Sequence, residues 1–148
     1  MFKSKWSAAV VAMAMFAAGF AVRGVVGGDV AHAQAATRAF EMRTYTAGPG
    51  KFEALQKRFR DHTLRIFEKH GMTSIGYWVP ADPPNSENTL VYIIAHKNRE
   101  AAKKSWADFG ADPEWQKVRK ESMGPDGVSL TTKVESVFLN PTDYSPMK

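Results

Sequence analysis

The chain has 148 residues with a net charge of +5, contains no cysteine, and is 24% charged and 44% hydrophobic. Without cysteine, it has no disulfide bonds, thiolate catalysis, or zinc and iron–sulfur sites held by thiolates. Basic residues alternate with acidic ones instead of forming a stripe, so the charge indicates no nucleic-acid partner. The composition is typical of a globular protein, and the length suits a leader followed by one domain.

The N-terminus predicts export. Lys3 and Lys5 precede an apolar run over residues 7–22, and two A-x-A cleavage patterns follow within residues 31–35. We therefore expect a signal peptide over residues 1–33 and a secreted or periplasmic domain. The alternative is an uncleaved segment that anchors the chain, which would then be its only contact with a membrane.

The domain begins with a strand and a long helix. Residues 39–46 alternate with a period of two, which predicts a strand with Glu41, Arg43 and Tyr45 on one face. Residues 51–70 carry apolar side chains at three- and four-residue spacing and are followed by a glycine, which predicts an amphipathic helix.

The rest of the chain predicts three strands and two shorter helices. Strands are expected over residues 73–79, 89–96 and 130–139, and helices over residues 99–109 and 113–121. Since residues 89–96 are largely apolar on both faces, we expect that strand to be covered on both sides.

The order of these elements is β-α-β-β-α-β, with an extra short helix in the second crossover. It predicts an α+β, ferredoxin-like domain over residues 39–145, with a four-stranded antiparallel sheet and helices on one face. The other face then carries apolar side chains without a helix over them. We expect two such faces to pack together in a homodimer, as a dimeric α+β barrel.

Several blocks of the sequence resemble the NIPSNAP family and together span about residues 39–145. They are residues 40–45 with 48–51, 58–63 with 71–72, 76–78, 112–115 and 134–139. The resemblance implies the dimeric α+β barrel and supplies no agreed set of catalytic residues. The better-known eukaryotic members are mitochondrial, whereas this N-terminus is of the bacterial export type, so their roles are not carried over.

Two histidines are candidates for a functional site. His62 lies beside the apolar stripe of the long helix, and His96 ends the third strand. If both lined the space between sheet and helices, they could act as an acid–base pair or as ligands. We expect His62 to line a pocket between the first helix and the sheet, with Tyr45 or His96 within reach. The alternative is that both are structural, hydrogen-bonded residues.

Aromatic residues and one arginine complete the candidate set. Tyr45, Trp78 and Trp106 can line an apolar pocket, and Arg43 can bind a carboxylate through two parallel hydrogen bonds. Alternatively, the aromatic residues fill the core and Arg43 belongs to a surface ion pair. No phosphate-binding, dinucleotide-binding, metal-binding or hydrolase motif is present in the sequence, so we expect no metal and no cofactor.

Three functions remain open at this point. The domain binds a small apolar or aromatic molecule, or it is a cofactor-independent oxygenase or isomerase, or it is a dimer that only mediates interactions. The second possibility comes from analogy with monooxygenases among related dimeric α+β barrels, and a shared fold is weak evidence for shared chemistry. Whether the protein is an enzyme is therefore left open by its sequence.

Overall fold

The structure, a computed structural model, describes residues 38–148, so the signal peptide predicted over residues 1–33 lies outside the described residues. Four strands form one antiparallel sheet in the order β2-β3-β1-β4. Their ends differ from the predicted ends by at most one residue, and the α+β fold class is confirmed. The strands are β1 (Ala39–Ala47), β2 (Thr73–Trp78), β3 (Thr89–His96) and β4 (Thr131–Leu139).

The long helix predicted over residues 51–70 is present but is not α-helical throughout. An α-helix, α1 (Phe52–Arg58), continues through a π turn (Phe59–Thr63) into α2 (Leu64–Lys69). In the π turn the Leu64 amide donates to the Phe59 carbonyl, five residues back. This wider turn changes the direction in which flanking side chains point, and such turns occur often at functional sites.

The two shorter helices are confirmed, and side chains cap their first turns. In α3 (Arg99–Ala111), the Asn98 side chain accepts a hydrogen bond from the Ala101 amide. In α4 (Pro113–Ser122), Asp112 accepts hydrogen bonds from two backbone amides of the first turn. These caps satisfy amide groups that an α-helix leaves without internal partners.

The helices cover the face of the sheet that carries Glu41, Arg43 and Tyr45. Across the β1–β3 ladder Arg43 lies opposite Tyr92, and Glu41 lies opposite Ile94; Tyr92 and Ile94 are fully buried. The helices complete this core with apolar side chains at helical spacing: Leu55, Phe59, Ile66, Phe67 and Phe109. The face of β1 with more polar residues therefore points into the core.

The other face of the sheet has no helix over it in the described part of the chain. Phe40 at one end is buried, and it lines a groove together with residues of the C-terminal tail. Trp78 and Val137 are 52% and 51% exposed, and Ile93 in the middle of the face is half-buried. The expectation that β3 is covered on both sides therefore holds fully only on the helix side. Within residues 38–148 no helix has both the length and the apolar character needed to cross a membrane.

Candidate functional site

A buried carboxylate lies at the centre of the best-organised polar cluster. Glu41 is 2% exposed and accepts four hydrogen bonds. Its Oε1 accepts from Ser136 Oγ at 2.6 Å and from Arg43 Nη1 at 3.1 Å. Its Oε2 accepts from Trp106 Nε1 at 2.7 Å and from His96 Nε2 at 3.0 Å. The fold thus brings together side chains from β1, β3, α3 and β4, and we call them the Glu41 network.

These contacts keep Glu41 ionised. Burial by itself raises the pKa of this carboxyl, but hydrogen bonds from His96, Ser136 and Trp106, with the charge of Arg43, outweigh it and lower the pKa from 4.5 to about 2. At neutral pH Glu41 is therefore a weak proton acceptor. Since an ionised carboxylate can only accept hydrogen bonds, Nε2 of His96 carries a hydrogen.

Arg43 connects the network to two of the predicted aromatic residues. Its guanidinium lies 4.0 Å from the centre of the Trp106 ring and 5.6 Å from that of Tyr45. Its Nε is buried and has no hydrogen-bond partner among the described residues. Arg43 therefore pairs with the buried Glu41 on the same strand and not with a surface carboxylate, and cation–π contacts hold the rest of the guanidinium.

His96 is enclosed by the protein. Its side chain is 0% exposed, and the rings of Trp106 and Phe138 lie 6.5 and 6.4 Å away, centre to centre. Nε2 donates to Glu41, whereas Nδ1 has no partner within the described chain. His96 pairs with Glu41 and not with His62, so the two predicted histidines do not form a common site.

The edge strand β4 leaves the network accessible from one side. Register places Val134 opposite Tyr45 and Ser136 opposite Arg43, on the helix side of the sheet. Both β4 residues are nevertheless exposed, Val134 by 45%, and the Arg43 side chain keeps 16% exposure. We call Arg43, Val134, Ser136 and Trp106 together the β4 shelf.

Tyrosine side chains fill the layer beside the shelf. Tyr45 packs edge-on against Phe59 and Tyr92, at 5.8 and 5.3 Å between ring centres. The Tyr92 hydroxyl is buried and has no partner among residues 38–148. Burial and Tyr45 raise the pKa of Tyr92 well above its usual value, and Arg43 opposes this effect. Tyr92 therefore stays protonated and can donate a hydrogen bond.

His62 does not line a pocket between the first helix and the sheet. It is half-exposed in a groove of about 240 Å³ between the long helix and α4, which we call the α4 groove. The buried stripe passes through Phe59 and Thr63 in the π turn, so position 62 lies on the flank that faces α4. The residues that line the groove include Ala54, Lys57, Arg58, His62, Val118 and Ser122.

Trp78 is also apart from the other candidates. It lies opposite Val91 on the open face of the sheet, and its ring packs over Gly76, where an added Cβ would come within 2.5 Å of it. Gly76 thus makes room for the indole on the sheet surface. Trp78 is part of the open face and does not contribute to the β4 shelf.

The sequence did not single out three residues that the structure places at these sites. For Glu41 a sequence pattern was available, because strand alternation puts this carboxylate on the same face as Arg43 and Tyr45. For Ser136 and Arg58 no sequence pattern indicated a role, since Ser136 lies on an exposed edge strand and Arg58 on an amphipathic helix. No group of three histidine, aspartate or glutamate side chains among the described residues is arranged to hold a metal ion.

Comparison with known proteins identifies the fold and the family. The NIPSNAP family model matches residues 40–146. A NIPSNAP family protein with unknown function from Agrobacterium tumefaciens superposes with a TM-score of 0.64 at 24% identity, covering 76% of this chain and 96% of that one. An uncharacterized NIPSNAP domain protein from Burkholderia xenovorans gives 0.59 at 27%, covering 73% and 98%.

The comparison with curated proteins gave no match. The two solved structures share the fold with this chain and assign no activity to it. The family match extends over nearly all of the described residues and confirms the resemblance seen in the sequence. The chain belongs to the NIPSNAP family.

Proposed function

We propose that this domain is a homodimeric binding module for a small apolar or aromatic molecule, which it holds on the β4 shelf. The observation that carries this proposal is the exposure of Val134, at 45%, on the face of the sheet where the side chains of β3 are buried under the helices. The helices leave Val134 uncovered, next to the Arg43 guanidinium, which Glu41 already holds in place.

The shelf combines apolar contact with one oriented polar group. Val134 and Trp106, with Tyr45 beside them, offer the apolar surface, and the part of the Arg43 guanidinium that keeps 16% exposure offers a charged group for a polar substituent. Pockets for small molecules commonly have this composition. Because Glu41 already holds Arg43, a ligand would require little ordering of that side chain on binding.

The geometry favours binding over acid–base catalysis. A carboxylate with a pKa of about 2 takes up protons poorly at neutral pH, and Glu41 is surrounded by four donors. His96 uses Nε2 on Glu41 and is fully enclosed, so its free nitrogen does not reach the shelf surface. The alternative of a cofactor-independent oxygenase or isomerase needs a proton acceptor in contact with the ligand.

The open face of the sheet supports the homodimer. Trp78 and Val137 are half exposed there, and Met42 and Ile93 between them are only partly covered. Packing two such faces together removes this apolar surface from water. The C-terminal tail forms a groove with Phe40 and Ile93 and leaves Trp78 and Val137 half exposed.

Two substitutions on β4 test the two parts of the proposal separately. Val134→Arg places a charge on the shelf, and Val137→Arg places the same charge on the open face of the same strand. Native mass spectrometry of gently purified protein reports a retained molecule, and sedimentation equilibrium reports the oligomer. We expect the wild type to be a dimer that retains a small molecule. We expect Val134→Arg to lose the molecule and stay dimeric, and Val137→Arg to become monomeric.

The results also decide between the alternatives. A wild-type dimer without any retained molecule would favour a protein that only mediates interactions. Retention that is unchanged in Val134→Arg would contradict the shelf as the site. A monomeric wild type would contradict the open face as an interface.

We propose in addition that the domain is exported and that its leader is removed near residue 33 or 35, on the basis of the N-terminal sequence pattern. The intact mass of the protein from the periplasmic fraction tests this. A mass that equals the full chain would contradict cleavage and favour the anchored alternative.

A further inference from the structure

We infer that the α4 groove is a second binding site, and that it takes a small carboxylate anion through Arg58. The groove shares no lining residue with the β4 shelf, so this inference goes beyond the function proposed above and does not depend on it. Arg58 lies on one wall, and its side chain is the feature that indicates an anion.

Arg58 is a buried cation with too few partners. It is 8% exposed, and its Nη1 donates one hydrogen bond of 3.3 Å to Ser122 Oγ. Its guanidinium lies 5.1 Å from the centre of the Trp115 ring, and its Nε has no partner among the described residues. No carboxylate of residues 38–148 lies within 4.0 Å of it. A buried charge without a counter-charge is costly, and proteins rarely keep one without a use for it.

The surroundings of Arg58 disfavour its charge more than they stabilise it. Burial lowers the pKa of its guanidinium, Tyr45 and Tyr92 oppose that effect, and Arg119 adds to it. Arginine nevertheless stays protonated in proteins. An anion that enters the groove would therefore meet a charge that is already desolvated and unpaired.

The acidic groups of the groove do not supply this partner. Asp61 accepts a hydrogen bond from Lys57, one helical turn earlier, and Glu121 pairs with Lys117. Neither pair includes Arg58, so they leave its charge uncompensated. A carboxylate suits Arg58 because a guanidinium can bind it through two parallel hydrogen bonds.

The walls of the groove indicate the rest of the ligand. Ala54 and Val118 are apolar, His62 adds a half-exposed imidazole, and the volume is about 240 Å³. This space fits a short apolar or aromatic body that carries one carboxylate. A long chain or a nucleotide would need a larger cavity.

The π turn holds Arg58 in this position. The buried Thr63 donates a hydrogen bond of 3.2 Å from Oγ1 to the Arg58 carbonyl, five residues back. Ala54, Arg58 and His62 recur every fourth residue and lie on one flank of the helix, the flank that faces α4. The irregular turn therefore lies directly beside the proposed site, as such turns often do.

Titration with benzoate and with its neutral isostere benzamide tests the inference. Binding is followed by NMR on the arginine Nε–H and tryptophan Nε1–H resonances of the purified full chain. We expect benzoate to give saturable shifts at Arg58 and Trp115, and benzamide to give none that saturate. Arg58→Met keeps an apolar side chain without the charge and is expected to weaken benzoate binding about tenfold or more.

Two further variants complete the design. Arg60→Met removes an exposed arginine two residues away and is expected to change benzoate affinity less than twofold. Ala54→Trp fills the groove from an exposed position and is expected to abolish binding, which decides the question even if Arg58→Met does not fold. Absence of saturable benzoate binding, equal binding of benzamide, or unchanged affinity in Ala54→Trp would each overturn the inference.

Discussion

Glu41 and Arg58 are both buried charges in the same domain, and their surroundings differ sharply. Glu41 receives four hydrogen bonds from side chains of four different elements. Arg58 makes one long hydrogen bond to Ser122 and one contact with the face of an aromatic ring. Each residue is less than a tenth exposed, so burial alone does not distinguish them.

These surroundings make Glu41 part of the framework and leave the charge of Arg58 available to a ligand. A fully hydrogen-bonded charge holds its partners in place, and removing it leaves them without an acceptor. A buried charge without a counter-charge is costly to folding, and it gains a partner only when something binds. The two residues should therefore respond in opposite ways to the same kinds of perturbation.

The largest effect is expected for Glu41→Ala. This change leaves Arg43 without a counter-charge and leaves the buried His96 and the half-buried Trp106 without their acceptor, so the free energy of unfolding should fall by about 3–5 kcal/mol. Urea denaturation at one fixed protein concentration measures it. Glu53→Ala, at a side chain that is 80% exposed, should change stability by about 0.5 kcal/mol or less. A loss below about 1 kcal/mol for Glu41→Ala would show that the network is not part of the framework.

The pH dependence of stability tests the same residue without truncating it. Because the pKa of Glu41 falls from 4.5 to about 2 on folding, its stabilising contribution is present above pH 4.5 and is lost as pH falls toward 2. Each unit by which folding lowers the pKa corresponds to about 1.4 kcal/mol, so the contribution of Glu41 to the free energy of unfolding is roughly 3 kcal/mol.

The advantage of the wild type over Glu41→Gln should therefore be largest at neutral pH and shrink by that amount between pH 6 and pH 2. Other carboxyl groups with lowered pKa values, such as Asp112, are present in both proteins and cancel in the comparison. A stability difference that stays constant down to pH 2.5 would contradict the low pKa of Glu41.

A smaller effect is expected when one donor of the network is removed. Trp106→Phe keeps an aromatic ring but deletes the Nε1–H that donates to Glu41 at 2.7 Å. Hydrogen bonds to charged groups contribute about 1.5–3 kcal/mol, so stability should fall by about that amount more than in the control. Trp115→Phe is the matched control, since its Nε1 donates to no carboxylate within the described residues. Equal losses in thermal unfolding of the two variants would contradict the role of this hydrogen bond.

The smallest effect on stability is expected for Arg58→Met. Replacing an unpaired buried charge with an apolar side chain of similar length is often neutral or stabilising, so the free energy of unfolding should change by less than about 1 kcal/mol or rise. Arg43→Met, which breaks an ion pair inside the Glu41 network, should destabilise the protein clearly. Comparable losses in the two variants, measured by urea denaturation, would show that Arg58 has a structural role and would weaken the contrast.

Much of the fold could be predicted from local pattern. Alternation in residues 39–46 correctly placed Glu41, Arg43 and Tyr45 on one face, because a pleated strand turns successive side chains to opposite sides. The position of His62 was predicted less well. The spacing of Phe59, Thr63 and Ile66 fits an α-helix as well as one with a π turn, and the direction of position 62 depends on which of them forms.

Local sequence pattern was enough to predict the order of the elements, their ends to within a residue or two, the family, and the faces on which the strand side chains lie. These properties follow from hydrophobic periodicity and from turn residues, which act over a few neighbouring positions. The folded structure was needed to show that Glu41 accepts hydrogen bonds from Trp106, 65 residues away, and from Ser136, 95 residues away. It alone also showed that Arg58 is buried without a counter-charge. Whether a buried charge has partners depends on side chains that come into contact only when the sheet and the helices pack. Local sequence pattern does not predict such long-range contacts.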